Sequence, residues 1–163
     1  MGAEKMLFGR RSRLVKRILV VEDEALVAFD NEVMASGAGY DVVATVDNVT
    51  DALAVLNREL APIAEDEEDE ERGVDLILTD VALSGERSGL DLAKEAQVLG
   101  VPVLFATATP PEGGEALALG VLLKPYNDKR LRAALKTVER LFAGDTNVEA
   151  PDGVVLYGPS IAA

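Results

Sequence analysis

Hydrophobic positions in this chain fall into short runs that alternate with longer segments of helical period. The short runs are rich in Val, Ile and Leu and show no polar alternation, which is typical of strands buried on both faces of a parallel sheet. In the longer segments apolar residues recur every three or four positions, which predicts helices. The pattern therefore predicts an α/β fold, a parallel sheet with helices on both faces. The predicted strands are 18–21, 41–46, 74–79, 103–106 and 121–123.

Four helices and one shortened helical segment are predicted between and after these strands. The second has Asn48 or Thr50 available as its N-cap. The fourth is at most short, because Pro and Gly residues at 109–114 interrupt regular structure just before it. For the tail at 144–163, a brief strand at 154–157 and a loosely docked segment both remain open. The predicted helices cover about 26–36, 50–60, 90–99, 115–119 and 131–143.

Polar residues suited to phosphate chemistry follow four of the predicted strands. Glu22 and Asp23 follow the first strand, Asp80 the third, Thr107 the fourth and Lys124 the fifth. Because ligands collect at the carboxyl edge of an open parallel sheet, we expect these residues to converge there. Carboxylates bind Mg²⁺, a lysine pairs with phosphate, and a hydroxyl hydrogen-bonds a phosphoryl oxygen. The set predicts a site in which an aspartate accepts a phosphoryl group.

Each of these residues also has an ordinary structural explanation when taken alone. The acids at 22–24 could favour the N-terminus of the following helix, and Asp80 could be an N-cap or turn residue. Thr107 could be a solvated loop hydroxyl, and Lys124 could simply mark the exit of a strand. Such residues follow four of the predicted strands. One shared site explains this pattern better than four separate coincidences do.

Composition narrows the chemistry available to the chain. Its 163 residues predict one domain with short extensions, and they include no Cys and no His. Disulfides, thiolate metal sites, imidazole ligands and histidine general bases are therefore excluded, and with them most zinc enzymes, cysteine proteases and Ser-His-Asp hydrolases. The sequence shows neither a signal-peptide pattern nor an apolar run long enough to span a membrane, so we expect a cytoplasmic location.

Charge is distributed unevenly along the chain. The net charge of −13 argues against duplex nucleic acid as a partner. Seven consecutive acids at 65–71 supply about half of this excess and are expected to form a solvated loop insertion, with a cation or partner site as the alternative. Residues 1–16 form a basic extension, which is either solvated or in contact with an acidic partner or the chain's own acidic loop.

The segments around these residues resemble the receiver domain of bacterial two-component response regulators. The resemblance covers about 16–143, so the domain is assigned to 17–143. It implies a doubly wound, flavodoxin-like sheet of five parallel strands in the order 2-1-3-4-5. Gly89, in the loop after Asp80, also matches the family pattern. The matching pieces are Ile18-Leu19-Val20-Val21-Glu22-Asp23-Glu24, Asp75-Leu76-Ile77-Leu78-Thr79-Asp80, Val101-Pro102-Val103-Leu104-Phe105-Ala106-Thr107-Ala108 and Leu123-Lys124-Pro125.

The resemblance also implies a role for each site residue. Asp80 would be the phosphoacceptor, with Lys124 and Thr107 contacting two of the phosphoryl oxygens. Mg²⁺, with Mn²⁺ as an alternative, would be held by carboxylates and by one main-chain carbonyl. The implied metal ligands are Glu22, Asp23, Asp80 and the carbonyl of Ala82.

Several positions depart from the usual receiver pattern. Phe105-Ala106-Thr107 resembles the FAT GUY subgroup, but Ala-Thr-Pro follows at 108–110 where that subgroup has Gly, an apolar residue and Tyr. Val121 occupies a position where typical receivers carry an aromatic ring that rotates on phosphorylation. We hypothesise that switching here is a change of order in the loop 109–119, with Tyr126 in a compensating role.

The expected function is that of a single-domain response regulator. It would take a phosphoryl group from a sensor histidine kinase or phosphotransferase and act by protein contact or as a phosphate sink, as a monomer without nucleic-acid or membrane partners. It would not be a classical enzyme, although it would catalyse its own phosphorylation and dephosphorylation at Asp80. The alternative is an unphosphorylated pseudo-receiver adapter that binds a kinase or other partner. A haloacid-dehalogenase-like phosphatase is disfavoured because Glu24 and Ala25 follow Asp23 where that family has Asp-x-Asp.

Overall fold

The computed structural model describes residues 15–65 and 71–158. A turn of 3₁₀ helix at Gly114–Ala116 stands where the shortened fourth helix is predicted. The described residues form six strands and four α-helices, in chain order β1 Arg17–Val21, α1 Ala25–Gly37, β2 Asp41–Val46, α2 Val49–Glu59, β3 Leu76–Thr79, α3 Gly89–Leu99, β4 Val103–Thr107, β5 Gly120–Leu123, α4 Asp128–Phe142 and β6 Val154–Leu156.

The strands form one sheet in the order β2-β1-β3-β4-β5-β6. The first five strands are parallel, which confirms the predicted α/β fold and its order 2-1-3-4-5, and β6 pairs antiparallel with β5. Of the two alternatives for the tail, the strand is the one that forms. The parallel register aligns Val21 with Thr79 and Thr107 with Leu123, so the segments that follow these strands emerge at one edge of the sheet.

Alternate residues of each central strand pack into two hydrophobic layers, one on each face of the sheet. Leu19, Val21 and Phe105 lie in the layer under α2 and α3. Ile18 and Val20 lie in the layer under α4. Each fully buried side chain of this size stabilises the fold by about 1.5–3 kcal/mol relative to exposure. The central strands are thus buried on both faces, as their apolar runs predict.

The apolar period of α1 predicts the helix correctly but does not identify its buried side. Leu26, Phe29 and Val33 are 81%, 63% and 52% exposed, and their spacing places them along one stripe of the helix. The buried positions of α1 are Ala28, Asn31 and Ala35. That side also includes the half-buried Met34, whereas the large apolar side chains of the stripe lie in solvent.

Side-chain caps fix where three of the helices begin. Asn48, rather than Thr50, caps α2 and accepts a hydrogen bond from the backbone N–H of Asp51. Ser88 and Asp91 form a capping box at the start of α3. Because α3 follows the loop after Asp80, this box also fixes the end of that loop.

The basic and acidic segments meet at the amino end of the sheet. Lys16 Nζ lies 2.6 Å from Glu71 Oε1, and Arg17 pairs with Glu59 at 2.7 Å. Contact between the basic segment and the chain's own acidic loop, one of the alternatives above, is therefore present at Lys16 and Glu71. The remaining parts of both segments, 1–14 and 66–70, lie outside the described residues, as does 159–163. None of the helices in the described part of the chain has the length and apolarity needed to cross a membrane.

Candidate functional site

Three of the predicted site residues form one ion-paired cluster at the carboxyl edge of the sheet. Lys124 Nζ lies 2.6 Å from Glu22 Oε1 and 2.7 Å from Asp80 Oδ2. Glu22 and Asp80 are only 2% and 8% exposed, and the Lys124 side chain is 17% exposed. Since these residues follow β1, β3 and β5, the parallel sheet itself brings them together.

The carboxylates of this cluster form a donor set that fits a hard divalent cation. Glu22, Asp23 and Asp80 each offer one oxygen, and these oxygens lie within 4.8 Å of one another. Asp23 is exposed, so the set opens to solvent on one side. Carboxylate oxygens with room for water are the ligands that Mg²⁺ and Mn²⁺ prefer. The residues therefore fit the predicted metal.

The electrostatics of the cluster leave negative charge uncompensated. Burial raises the pKa of Glu22, and the hydrogen bond from Lys124 offsets only part of this rise. Burial alone would lower the pKa of Lys124, but hydrogen bonds to Asp80 and Glu22 outweigh it and hold that pKa above its usual range. One ammonium group thus faces two buried carboxylates. A second positive charge at this position is electrostatically favourable.

Backbone contacts orient the carboxyl group of Asp80. The N–H of Val81 donates to Asp80 Oδ1 at 2.6 Å, while Asp80 Oδ2 accepts from Lys124. The N–H of Asp80 donates to the carbonyl of Val21 at 3.0 Å, which ties the acceptor to the end of β1. The Asp80 side chain is therefore held with each oxygen in a defined environment.

Thr107 and Ala82 lie at the same edge of the sheet. Thr107 ends β4 and is buried, and its carbonyl accepts a hydrogen bond from the N–H of Lys124 at 3.0 Å. Ala82 is exposed in the loop two residues beyond Asp80. The placement of both residues is compatible with the predicted contacts, and their roles remain predictions.

Comparison with known proteins decides the family. Residues 18–136 match the response regulator receiver domain. The chain belongs to this family. Among curated relatives, it is 28% identical over 126 residues to the phyllosphere-induced regulator PhyR of Methylorubrum extorquens, covering 75% of this chain and 43% of PhyR. It is 30% identical over 148 residues to the sensory transduction protein RegX3 of Mycolicibacterium smegmatis, covering 87% of this chain and 58% of RegX3. The receiver chain thus spans about half the length of these relatives.

Solved structures of other receivers share the fold. The response regulator PhyR of Brucella abortus superposes with a TM-score of 0.61 at 27% identity, covering 88% of this chain and 56% of that one. A CheY-like receiver domain protein of Methanospirillum hungatei also gives a TM-score of 0.61, at 22% identity, covering 77% of this chain and 94% of that one. The second likeness is one of fold alone.

A glycine is required directly beneath the acceptor of this receiver. A Cβ atom on Gly89 would lie 2.1 Å from the carbonyl oxygen of Asp80 and 2.9 Å from Val81 Cα. Both contacts are with backbone, so a side chain at position 89 displaces the loop that carries the acceptor. This explains physically why Gly89 belongs to the matching pattern.

We expect Gly89→Ala to lower the free energy of unfolding by about 1–3 kcal/mol, the usual cost of overpacking, as measured by urea denaturation. The matched control is Gly37→Ala at the end of α1, where the added Cβ meets Arg132 Nη2 at an ordinary 3.5 Å. The control protein should be as stable as wild type or more so, because alanine favours the helix. Equal losses in the two variants would show that the contact with Asp80 is not the cause.

The receiver also contains a buried polar pair that the sequence analysis missed. The hydroxyl of Tyr126 donates to Oδ1 of Asn31 at 2.6 Å, and Asn31 is 2% exposed. Burial raises the pKa of Tyr126 to about 12, so the hydroxyl stays protonated at neutral pH. Tyr126 packs on the face of the sheet opposite to Val121, so it does not supply a ring beside that residue. The sequence signal for this pair is the position of Asn31. It lies between Ala28 and Ala35 on the buried side of α1.

The aromatic side chain beside Val121 comes from the tail instead. Tyr157 follows β6 and packs against the hydrophobic layer that contains Phe105 and Val121. The sequence pattern allows a strand at 154–157 but indicates no role for Tyr157. Local patterns do not reveal this contact, because it depends on which strand the tail pairs with.

Proposed function

We propose that this receiver accepts a phosphoryl group on Asp80 in a Mg²⁺-dependent reaction and thereby acts as a response regulator. The observation that carries the proposal is the buried Lys124 ammonium between Glu22 and Asp80, with Asp23 beside them. An ordinary N-cap or turn acid needs neither this burial nor this counterion. The cluster supports phosphorylation over the alternative of an unphosphorylated adapter, which has no use for two buried carboxylates that share one lysine.

The proposed step is an in-line transfer with little covalent chemistry from other residues. A carboxylate oxygen of Asp80 forms a bond to phosphorus as the P–N bond of a donor phosphohistidine breaks, and the bonding electron pair stays on the donor nitrogen. The negative charge of Asp80 is then replaced by that of the phosphoryl oxygens. Lys124 remains paired by moving from the carboxylate to one of these oxygens.

Other groups position the phosphoryl group. The Thr107 hydroxyl donates to a second phosphoryl oxygen, and the Val81 N–H keeps Asp80 oriented during attack. When bound by Glu22, Asp23, Asp80 and the carbonyl of Ala82, Mg²⁺ supplies positive charge that offsets the carboxylate and phosphoryl charges. The receiver thus catalyses the transfer of the phosphoryl group to its own Asp80.

The first experiment is intact mass spectrometry of the wild-type protein after incubation with phosphoramidate, with Mg²⁺ or with EDTA. We expect one phosphoryl adduct with Mg²⁺ only, removed by hydroxylamine as an acyl phosphate would be and located at Asp80 by peptide mapping. If no adduct forms and calorimetry detects no Mg²⁺ binding, the phosphorylation proposal fails and the adapter alternative takes its place.

For the phosphodonor partner we propose a sensor histidine kinase or phosphotransferase that docks on the exposed stripe of α1. Leu26, Phe29 and Val33 form this stripe, and α1 begins two residues after Asp23. A protein that presents a phosphohistidine to Asp80 must lie over this end of α1. Exposed apolar side chains next to the site provide the desolvated centre of such an interface.

We expect Phe29→Ser combined with Val33→Ser to slow phosphotransfer from a histidine kinase by about tenfold or more, the effect of losing an interface anchor. Labelling by phosphoramidate should be unchanged, because a small donor needs no docking surface. The rates are measured with a kinase that phosphorylates the wild-type protein. The control is Val98→Ser on α3, a residue that is 85% exposed but lies outside the stripe. Equal slowing with both donors would indicate damage to the site rather than to docking.

We propose that the phosphorylated receiver acts through protein contact or as a phosphate sink in the cytoplasm. Assignment to the FAT GUY subgroup is likewise a proposal, resting on Phe105-Ala106-Thr107 and supported by the similarity to PhyR. The relative MtrA of Mycobacterium leprae is a DNA-binding response regulator, and this chain covers 60% of its length. The acidic net charge gives no support for nucleic-acid binding here.

A further inference from the structure

The tail strand is connected to the candidate site through backbone hydrogen bonds. In β6, Val154, Val155 and Leu156 pair with Leu122, Val121 and Gly120 of β5. The pairing continues beyond the strand ends, since the N–H of Leu123 donates to Gly153 and the N–H of Tyr157 donates to Leu119. The next N–H of the chain, that of Lys124, donates to the carbonyl of Thr107. The backbone of Lys124 thus directly follows the last residue of β5 that is hydrogen-bonded to the tail.

Tyr157 is held in a position that leaves its hydroxyl group unsatisfied. Within the described residues, it is the buried side-chain polar atom that has no hydrogen-bond partner. It lies over the 3₁₀ turn, 3.4 Å from where a Cβ atom on Gly114 would be. Burial of a hydroxyl without a partner is unfavourable, and the hydroxyl recovers a partner as soon as it reaches water. Docking of the tail therefore carries a local free-energy cost at Tyr157, which release of the tail removes.

The ring of Tyr157 also lies on the same face of the sheet as Val121. Val155 pairs with Val121, and Tyr157, two residues further along, faces the same side. Its ring packs against the hydrophobic layer that contains Phe105 and Val121. The tyrosine ring in this layer therefore comes from the residue after β6 and not from β5.

We propose that β6 with Tyr157 is the output switch of this receiver, docked while Asp80 is unphosphorylated and released when Asp80 carries a phosphoryl group. This inference rests on the proposed function and concerns how the same site signals. In the phosphorylated state Lys124 and Thr107 turn toward the phosphoryl oxygens, and the ends of β4 and β5 move with them. The hydrogen bond from Leu123 to Gly153 is lost first, and the unsatisfied hydroxyl of Tyr157 favours completion of the release.

The close contact at Gly120 provides a variant that undocks β6 without touching the site. A Cβ atom on Gly120 would lie 2.2 Å from the carbonyl oxygen of Val155 and 3.2 Å from Leu156 Cα. Gly120→Ala is therefore incompatible with docked β6. Gly158→Ala is the matched control, because an added Cβ there meets nothing within 4 Å.

The test is amide hydrogen–deuterium exchange of the full chain, read on peptides that cover 150–158, with and without phosphoramidate and Mg²⁺. In wild type and Gly158→Ala we expect phosphorylation to speed exchange of the β6 amides by about tenfold or more. Gly120→Ala should exchange rapidly in both states. Tyr157→Phe should exchange more slowly than wild type before phosphorylation, because docking then no longer buries an unpaired hydroxyl.

The intact mass of each sample separates the two ways in which this test can fail. A phosphoryl adduct without faster exchange of β6 in wild type overturns the switch and leaves the proposed function standing. Exchange in Tyr157→Phe that matches wild type before phosphorylation contradicts the role of the hydroxyl. Absence of the adduct overturns the proposed function and the switch together.

Discussion

Asp80→Asn protein takes up no phosphoryl group from phosphoramidate or acetyl phosphate in the presence of Mg²⁺. The substitution keeps the size of the side chain and an oxygen that can accept from the Val81 N–H. It removes the anionic oxygen that attacks phosphorus, which an amide does not replace, and it also removes the charge paired with Lys124. We therefore expect complete loss of the adduct rather than a reduced rate.

Intact mass spectrometry checks this result against wild type and an Asp41→Asn control. Asp41 begins β2 at the opposite edge of the sheet and is exposed, so its variant should be labelled like wild type. Circular dichroism should show that both variants keep the native fold. A phosphoryl adduct on Asp80→Asn would mean that another side chain is the acceptor.

Lys124→Ala should lower the free energy of unfolding by about 3 kcal/mol in the absence of divalent cations. Removal of one partner of a buried ion pair typically costs 3–5 kcal/mol, because it leaves charge without a counterion. Here the loss leaves Glu22 and Asp80 facing each other unpaired. We place the value at the low end because the Lys124 side chain is 17% exposed and water reaches the space that it vacates.

Urea denaturation in the presence of EDTA measures this loss of stability. The control is Lys129→Ala on the exposed side of α4. We expect it to change the free energy of unfolding by no more than about 0.5 kcal/mol. Addition of Mg²⁺ should restore part of the stability of Lys124→Ala, because a cation bound by the carboxylates replaces the missing positive charge. A loss below about 1 kcal/mol would contradict the view that Lys124 compensates the two acids.

The sheet and the convergence of the cluster were predictable because both follow from short-range pattern and topology. Runs such as Ile18 to Val21 are apolar throughout, which distinguishes strands buried on both faces from amphipathic helices. Once the sheet is parallel, the residues after each strand must share one edge, so Glu22, Asp80 and Lys124 are brought together without any further assumption. The chemical roles of these residues do not follow from placement alone.

Features that depend on distant packing were not predictable. The stripe of Leu26, Phe29 and Val33 has the spacing of a buried face, yet α1 packs on the sheet through another side. The periodicity of α1 does not distinguish these two sides. The bond between Tyr126 and Asn31 joins residues that are far apart in the chain, so neither residue indicates its partner. The docking of Tyr157 likewise requires knowledge of which strand lies at the edge.

The pairing of β6 with β5 has a consequence for how the protein behaves when it is shortened. A fragment that ends at 143, the predicted domain boundary, would present the edge of β5 with unpaired backbone N–H and C=O groups beside Val121 and Leu122. Open apolar edges of this kind recruit strands from other molecules and lead to aggregation. We therefore expect a chain that extends to Gly158, with tags placed where they leave β6 free to pair, to aggregate less than a fragment that ends at 143.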